Sequence, residues 1–148
     1  MRKRNIVLSL GAVPAVAVLI SSCAAQSVPN RNLTVKCTET VTGPDVSGGA
    51  VAGTGRCAIT GLLHDSGPTI DYRTQNGTAI LIRRVVVGAK GTITFVITIN
   101  TVGSAGEQWT ITSGTRAYAK LHGKGLQVVD NYEGDPATFV LEGIVSQA

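Results

Sequence analysis

Only two histidines, His64 and His122, occur among 148 residues, and no nearby Cys or His completes a ligand set with Cys37 and Cys57. A closed metal centre or a histidine base therefore has little to be built from, because His64 and His122 would have to meet from two distant turns. No serine sits in a Gly-x-Ser-x-Gly elbow, and no Ser, His, Asp order is recognisable. Gly48-Gly49 and Gly53-x-Gly55 lack a following helix, so neither forms a phosphate cradle. No window sustains a 3.6-residue apolar period, which predicts scarce helix. Basic residues are scattered; beyond Arg2-Lys3-Arg4 the one adjacent pair is Arg83-Arg84. That distribution excludes a nucleic-acid footprint, and no nucleic-acid partner is expected.

What the chain does have is a marked beginning. Arg2, Lys3 and Arg4 precede an apolar stretch from Ile6 to Ile20, and Ile20-Ser21-Ser22-Cys23 follows. The stretch is too short for a lasting membrane span and carries the flanks of a secretory leader. Small residues at positions 21 and 22 suit a signal peptidase, but the thiol at Cys23 is needed only if a thioether to diacylglycerol forms. We expect residues 1–22 to be a lipoprotein signal peptide and Cys23 the lipidated first residue of the mature protein. Plain secretion with cleavage near Ala24 or Ala25, or an uncleaved anchor, are the rival readings. Each buried methylene contributes about 0.8 kcal/mol, so the two or three acyl chains of such an anchor, palmitate among them, hold firmly where one would not. The expected location is the cell membrane, lipid-anchored on its extracytoplasmic face, with the membrane itself as partner.

Removing the leader changes the charge argument. The loss of Arg2, Lys3 and Arg4 takes the basic count from 13 to 10, against 9 acidic residues, so the high pI belongs partly to the targeting segment. With Cys23 held by lipid, Cys37 and Cys57 remain, 20 positions apart. An even remainder in an oxidising compartment predicts one disulfide, with metal ligation by the pair as the rival reading. No cofactor or metal is called for.

Residues 23–32 are polar and aperiodic and read as a short lipidated tether; residues 33–148 read as one all-β domain. From Leu33 to Val41 apolar and polar residues alternate with a period of two, and Ile93, Phe95, Ile97 and Ile99 repeat that pattern. Strands are predicted over 33–41, 56–63, 69–72, 78–87, 92–101, 108–113 and 137–146. Residues 47–55 read as a loop or weak strand, and 64–68 as a turn. The link Gly88-Ala89-Lys90-Gly91 predicts a hairpin joining 78–87 to 92–101. Short strands separated by glycine turns argue for a sandwich or barrel.

The run from Trp109 to Gly125, WTITSGTRAYAKLHGKG, resembles the strand and Gly-Thr-x-x-Tyr-x-x-x-x-Gly-x-Gly segment of allene oxide cyclase and dirigent-like barrels. The strand beginning Gly91-Thr92-Ile93-Thr94-Phe95 is similar to the one those proteins place just before it. The resemblance covers about 35 residues and implies an antiparallel barrel of about eight strands, closed so that no edge is left open. It further implies that Gly114, Thr115, Gly123 and Gly125 shape a tight corner while Tyr118 plugs one end. The polar cavity residues of those families do not map onto this chain, and fold does not carry activity with it.

Glu39 and Glu142 interrupt apolar strands, and each can either face a lumen as a ligand hook or occupy the solvent face. Arg83 and Arg84 are neighbours on a strand, so a regular pleat sends one inward. That inward arginine can bind an acidic ligand or pair with Glu39 or Glu142. Arg83, Arg84, Glu39, Glu142 and Tyr118 are thus the ligand-binding candidates, with Cys23 for lipidation, Cys37 and Cys57 for the disulfide, and no catalytic residue. Three functions fit. The first is an interaction or structural domain of the cell envelope with a filled core. The second is a binder of a small apolar molecule or lipid, and the third a cyclase- or isomerase-type enzyme needing an open pocket with a buried, shifted group.

Overall fold

A computed structural model describes residues 30–42, 49–103, 106–131 and 134–147. The leader, Cys23 and all but the end of the tether lie outside the described residues. Eight strands run in chain order: β1 Arg31–Val41, β2 Ala50–Gly61, β3 Asp65–Asn76, β4 Ala79–Gly88, β5 Gly91–Asn100, β6 Glu107–Gly114, β7 Leu121–Asn131 and β8 Ala137–Gln147. Each pairs antiparallel with the next, and β8 returns to β1, closing the barrel. Closure pairs every strand on both sides, which protects the strand edges, although the β6–β7 ladder is short, from Glu107 opposite Gln127 to Thr110 opposite Lys124.

The period-two residues fill the interior as their spacing requires. Leu33, Val35 and Cys37 of β1, Ile93, Phe95 and Ile97 of β5, and Phe139, Leu141 and Val145 of β8 are all buried. Cys37 stands directly opposite Cys57 in the β1–β2 register, and the two are joined as a disulfide. The expected pairing of 78–87 with 92–101 is the β4–β5 hairpin, from Ala79 opposite Asn100 to Gly88 opposite Gly91.

Of the two readings of 47–55, the strand holds for residues 50–55, which begin β2, and the β2–β3 ladder carries a bulge between Val51 and Gly53. Two expectations need correction. The predicted turn at 64–68 is shorter, because β3 already begins at Asp65 and keeps Pro68 in register with Arg56. His122 lies on β7 rather than in a loop, exposed like His64.

β7 itself is absent from the residue-by-residue reading, for a steric reason. Its inward positions include Gly123, Gly125 and Gln127, which give no apolar signal. A Cβ on Gly123 would lie 2.5 Å from Val145 Cγ1, and one on Gly125 2.0 Å from the Glu142 carbonyl oxygen. Trp109 of β6 stands opposite Gly125; its indole N–H is shared between the carbonyls of Leu126 (3.1 Å) and Glu142 (3.3 Å), and its ring meets Phe95 edge-on at 5.6 Å. A Cβ on Gly143, across from Gly125 in β8, would lie 2.5 Å from Trp109 Cζ2. Glycine there is a packing requirement.

One end of the barrel is closed by a 3-10 turn, Arg116–Tyr118, between β6 and β7. Tyr118 is fully buried, and its hydroxyl donates to Asp65 Oδ2 at 2.9 Å. Asp65 also accepts the backbone N–H groups of Ser66, Ala89 and Lys90, so it joins the start of β3 to the β4–β5 turn. Desolvation disfavours its charge, but the bonds from Lys90, Tyr118, Ser66 and Ala89 outweigh that and hold the carboxyl below its usual range. Burial, with the Asp65 bond and charge, raises the Tyr118 phenol. Tyr118→Phe is expected to lower stability by about 1.5 kcal/mol in urea titrations, the worth of a hydrogen bond to a charged acceptor. An unchanged midpoint would show that this plug holds by shape alone.

Candidate functional site

The opposite end of the lumen holds polar residues where the first alternation pattern would continue apolar. Glu39 follows Leu33, Val35 and Cys37 along the inward face of β1 and is only 1 % exposed. It stands opposite Gly55 in β2, where a side chain would collide with the Glu39 backbone and Cγ. The glycine pair that offers no phosphate cradle thus makes room for a carboxylate.

Arg84 is the inward member of the arginine pair. It is fully buried, and its neighbour Arg83 lies on the outer wall with its guanidinium 4.3 Å from the Tyr72 ring centroid. Asp71 stands directly opposite Arg84 in the β3–β4 register. The guanidinium donates to it twice, Nε to Oδ1 at 2.9 Å and Nη2 to Oδ2 at 2.8 Å. A third donor, Nη1, reaches Gln127 Oε1 at 3.1 Å, and Gln127 Nε2 donates in turn to Glu107. The Phe139 ring lies 5.0 Å from the guanidinium carbon. Five strands therefore meet in one ionic network, β1, β3, β4, β6 and β7.

Glu39 is the imperfect member. Its Oε1 lies 3.0 Å from Arg84 Nε, but the hydrogen on that nitrogen is directed at Asp71, so Oε1 has no hydrogen bond among the described residues. Two carboxyls against one arginine leave an excess of negative charge in a medium that penalises it. The charge is relieved by a proton. Burial pushes the Glu39 carboxyl up to about 8, Arg84 opposing the rise and the neighbouring Asp71 adding to it. Desolvation lowers Arg84, but Asp71 and then Glu39 outweigh it, and the guanidinium stays charged above its ordinary range.

A pH dependence follows. The folded-state pKa of Glu39 exceeds its unfolded value of about 4.5. Its contribution to stability is therefore complete below that value and is lost as pH rises toward 8, because the unfolded chain ionises first. Stability from this group should fall by a few kcal/mol across that window, and Glu39→Gln should flatten the slope in denaturant titrations run at several pH values. A slope unaltered by the substitution would contradict the assignment.

Beside the network the lumen opens into a cavity of about 60 Å³, walled by Val41, Ala52, Ile82, Ile99, Val129 and Phe139, with Glu39, Asp71, Arg73, Glu107 and Gln127 around it. Such a space takes about two groups the size of water. Asp71, Arg73, Glu107 and Gln127 are the residues that sequence reasoning missed. The signal for Asp71 was inverted: in β3 the apolar Ile70 faces out, and Thr69 and Asp71 face in.

Glu142 does not join this group. It is exposed on the outer wall, opposite Leu126 and Thr34, so of its two readings the solvent face holds, and its place among the ligand-binding candidates and as partner of an inward arginine is corrected. Its strand parity explains this, because Phe139, Leu141 and Val145 take the inward positions. Arg83 is likewise removed from the lumen. Tyr118 lies at the closed end, with Asp65 at the beginning of β3, whereas Arg73 borders the cavity toward its end. Cys37, Glu39 and Cys57 offer ligand atoms within 4.8 Å of one another, but both sulfurs are engaged in the disulfide.

The chain matches no protein-family model, no curated protein and no solved structure. The geometry alone carries the functional reading.

Proposed function

We propose that this chain is an extracytoplasmic lipoprotein, held on the outer face of the cell membrane through Cys23, whose barrel serves as a structural and interaction domain of the envelope. The observation that carries the reading is the filled lumen. Small-molecule sites usually offer about 300–1,000 Å³. The space beside Glu39 is about 60 Å³, and the rest of the interior is occupied by side chains from all eight strands. A lipid tail or apolar passenger has no room without displacing Phe139 or the Arg84 network. Recognition is left to the barrel's outer wall.

The outer wall supports this reading. Leu126, Val128 and Ile144 are each more than half exposed on β7 and β8, bordering a shallow groove of about 560 Å³ that also includes Val96 and Gln108. Polar Thr110, Lys124 and Glu142 are interspersed. Kinship with allene oxide cyclase and dirigent-like barrels is proposed as one of architecture, supported by the closed eight-strand barrel and by Tyr118 at its end; no activity is carried over.

Membrane attachment is tested by fractionation. Cys23→Ala in the native host should move the protein from the membrane pellet to the soluble extracytoplasmic fraction or the medium. Retention of the variant in the pellet would remove the anchor from the proposal.

A further inference from the structure

We propose that the barrel end closed by Tyr118 is a basic face that binds an anionic lipid surface and orients the barrel upon it. Basic residues far apart in the sequence meet there. Arg31 opens β1, Lys90 lies in the β4–β5 turn, and Arg116 and Lys120 belong to the connection between β6 and β7. All four are exposed, and none has an ion pair among the described residues. Asp65, the one carboxylate at this end among the described residues, is engaged by the Tyr118 hydroxyl and the N–H groups of Ser66, Ala89 and Lys90. A terminal carboxylate beyond Gln147, outside the described residues, would still leave four cations against two anions.

The fold carries these cations on one fastened surface. Ala117 N–H donates to the Lys90 carbonyl at 3.1 Å, and Gln147 Nε2 donates to that of Ala119 at 3.3 Å. On β8, Val145 stands opposite Arg31 and Gln147 opposite Leu121, so the start of β1 is tied to the same end. Arg116 and Lys120 have φ of 52° and 64°, a region that favours glycine, and no other non-glycine residue does so among the described residues. Strain of this kind gathers at ligand-contacting positions. Here it accompanies two cations rather than two small residues.

Charge selects the partner, and the tether sets its side. The opposite end is acidic, with Glu107, Asp130 and Asp135 against Arg73. On the wall between, Lys36, Arg56, Arg83 and Lys124 lie on four different strands, so no side concentrates charge as the closed end does. The tether enters at Arg31, within the basic end. Residues 24–30 are uncharged and span at most about 25 Å, so an anchor at Cys23 keeps this end within reach of the headgroups. Each Lys or Arg beside an anionic surface strengthens binding roughly fivefold, within a Debye length of about 8 Å. Leu62 and Leu63, in the neighbouring turn, pack against the core, which leaves the attraction ionic. A barrel seated on this face holds the groove at Leu126 and Ile144 sideways and its acidic end outward.

The inference deepens the membrane reading and rests on it for its setting, but the face can be read without acyl chains. The test is flotation of the full chain carrying Cys23→Ala with vesicles of phosphatidylcholine, alone or with about one-third phosphatidylglycerol to supply the anionic surface. Binding is expected to the anionic vesicles only, and it should be lost at about 1 M salt, where the Debye length is about 3 Å. Adding Lys90→Gln, Arg116→Gly and Lys120→Gly should weaken it roughly tenfold or more. Glycine suits the backbone at 116 and 120, so the denaturation midpoint should hold, which separates lost binding from lost structure. If that variant fails to fold, Lys90→Gln alone should weaken binding roughly fivefold. Orientation is read on the native protein in anionic nanodiscs containing a gadolinium-chelating lipid: amides of Ala89, Lys90 and Ala117 should broaden more than those of Gly77 and Gly103. Equal flotation with both vesicle types, binding unaltered by salt or by the substitutions, or equal broadening at the two ends would overturn the face. Binding to soluble polyglutamate as tight as to the vesicles would assign the face to an acidic polymer and overturn the lipid. Because flotation needs no acyl group, an inert face and a missing anchor give different results, the second being read from the mass of the residue at Cys23.

Discussion

Arg84→Met is expected to destabilise the barrel by about 3–5 kcal/mol, the cost of leaving a buried charge without its partner. The loss arises from what remains. Asp71, 4 % exposed, would keep a carboxylate with neither of its two donors, and Gln127 would lose the third bond of the guanidinium. Glu39 is less affected, because it already carries a proton at neutral pH. Adding Asp71→Asn and Glu39→Gln to Arg84→Met removes every uncompensated charge and should restore most of the stability. Guanidinium or urea titration of the wild type, the single variant and the triple variant reads both effects. A loss below about 1 kcal/mol in the single variant, the level of a surface pair, would show that the network is solvated rather than buried.

Replacing both Cys37 and Cys57 by alanine should cost about 3 kcal/mol. The bridge spans 20 residues and crosses from β1 to the directly opposite position on β2, so it restricts the unfolded chain without joining distant parts of the fold. The two alanines also leave a void beside the opposed pair Val35 and Ile59, in the same buried cluster. That term adds to the entropic one. Thermal and denaturant midpoints should fall together, and reduction of the wild-type protein should reproduce most of the shift. An unchanged midpoint after reduction would show that the β1–β2 ladder holds this corner unaided.

The sequence made some of this legible and concealed the rest for identifiable reasons. β1 and β5 could be read because their inward faces are apolar and their outward faces rich in threonine and lysine, as Leu33-Thr34-Val35-Lys36 shows. Arg83 and Arg84 could be known to face opposite ways but not which faced in, since Leu81, Ile82, Val85 and Val86 make both parities apolar. Only the register decides, by placing Asp71 opposite Arg84 and Tyr72 opposite Arg83. Asp71 itself was hidden because β3 presents its polar residues inward and Ile70 outward, reversing the usual rule. In β7 the inward glycines answer to other strands, a Cβ on Gly123 meeting Val145 of β8 and one on Gly125 the Glu142 carbonyl, so no local pattern can report them. The site's polar character was therefore visible at Glu39 and Arg84, while the partners that complete it depended on pairing between strands.

The most direct test of the whole account is native mass spectrometry of the protein extracted from its own host's membranes. The expected species is a chain beginning at Cys23, carrying covalent acyl groups and holding no noncovalent lipid. A retained lipid-sized passenger would contradict the filled lumen, and an unmodified Cys23 would contradict the anchor.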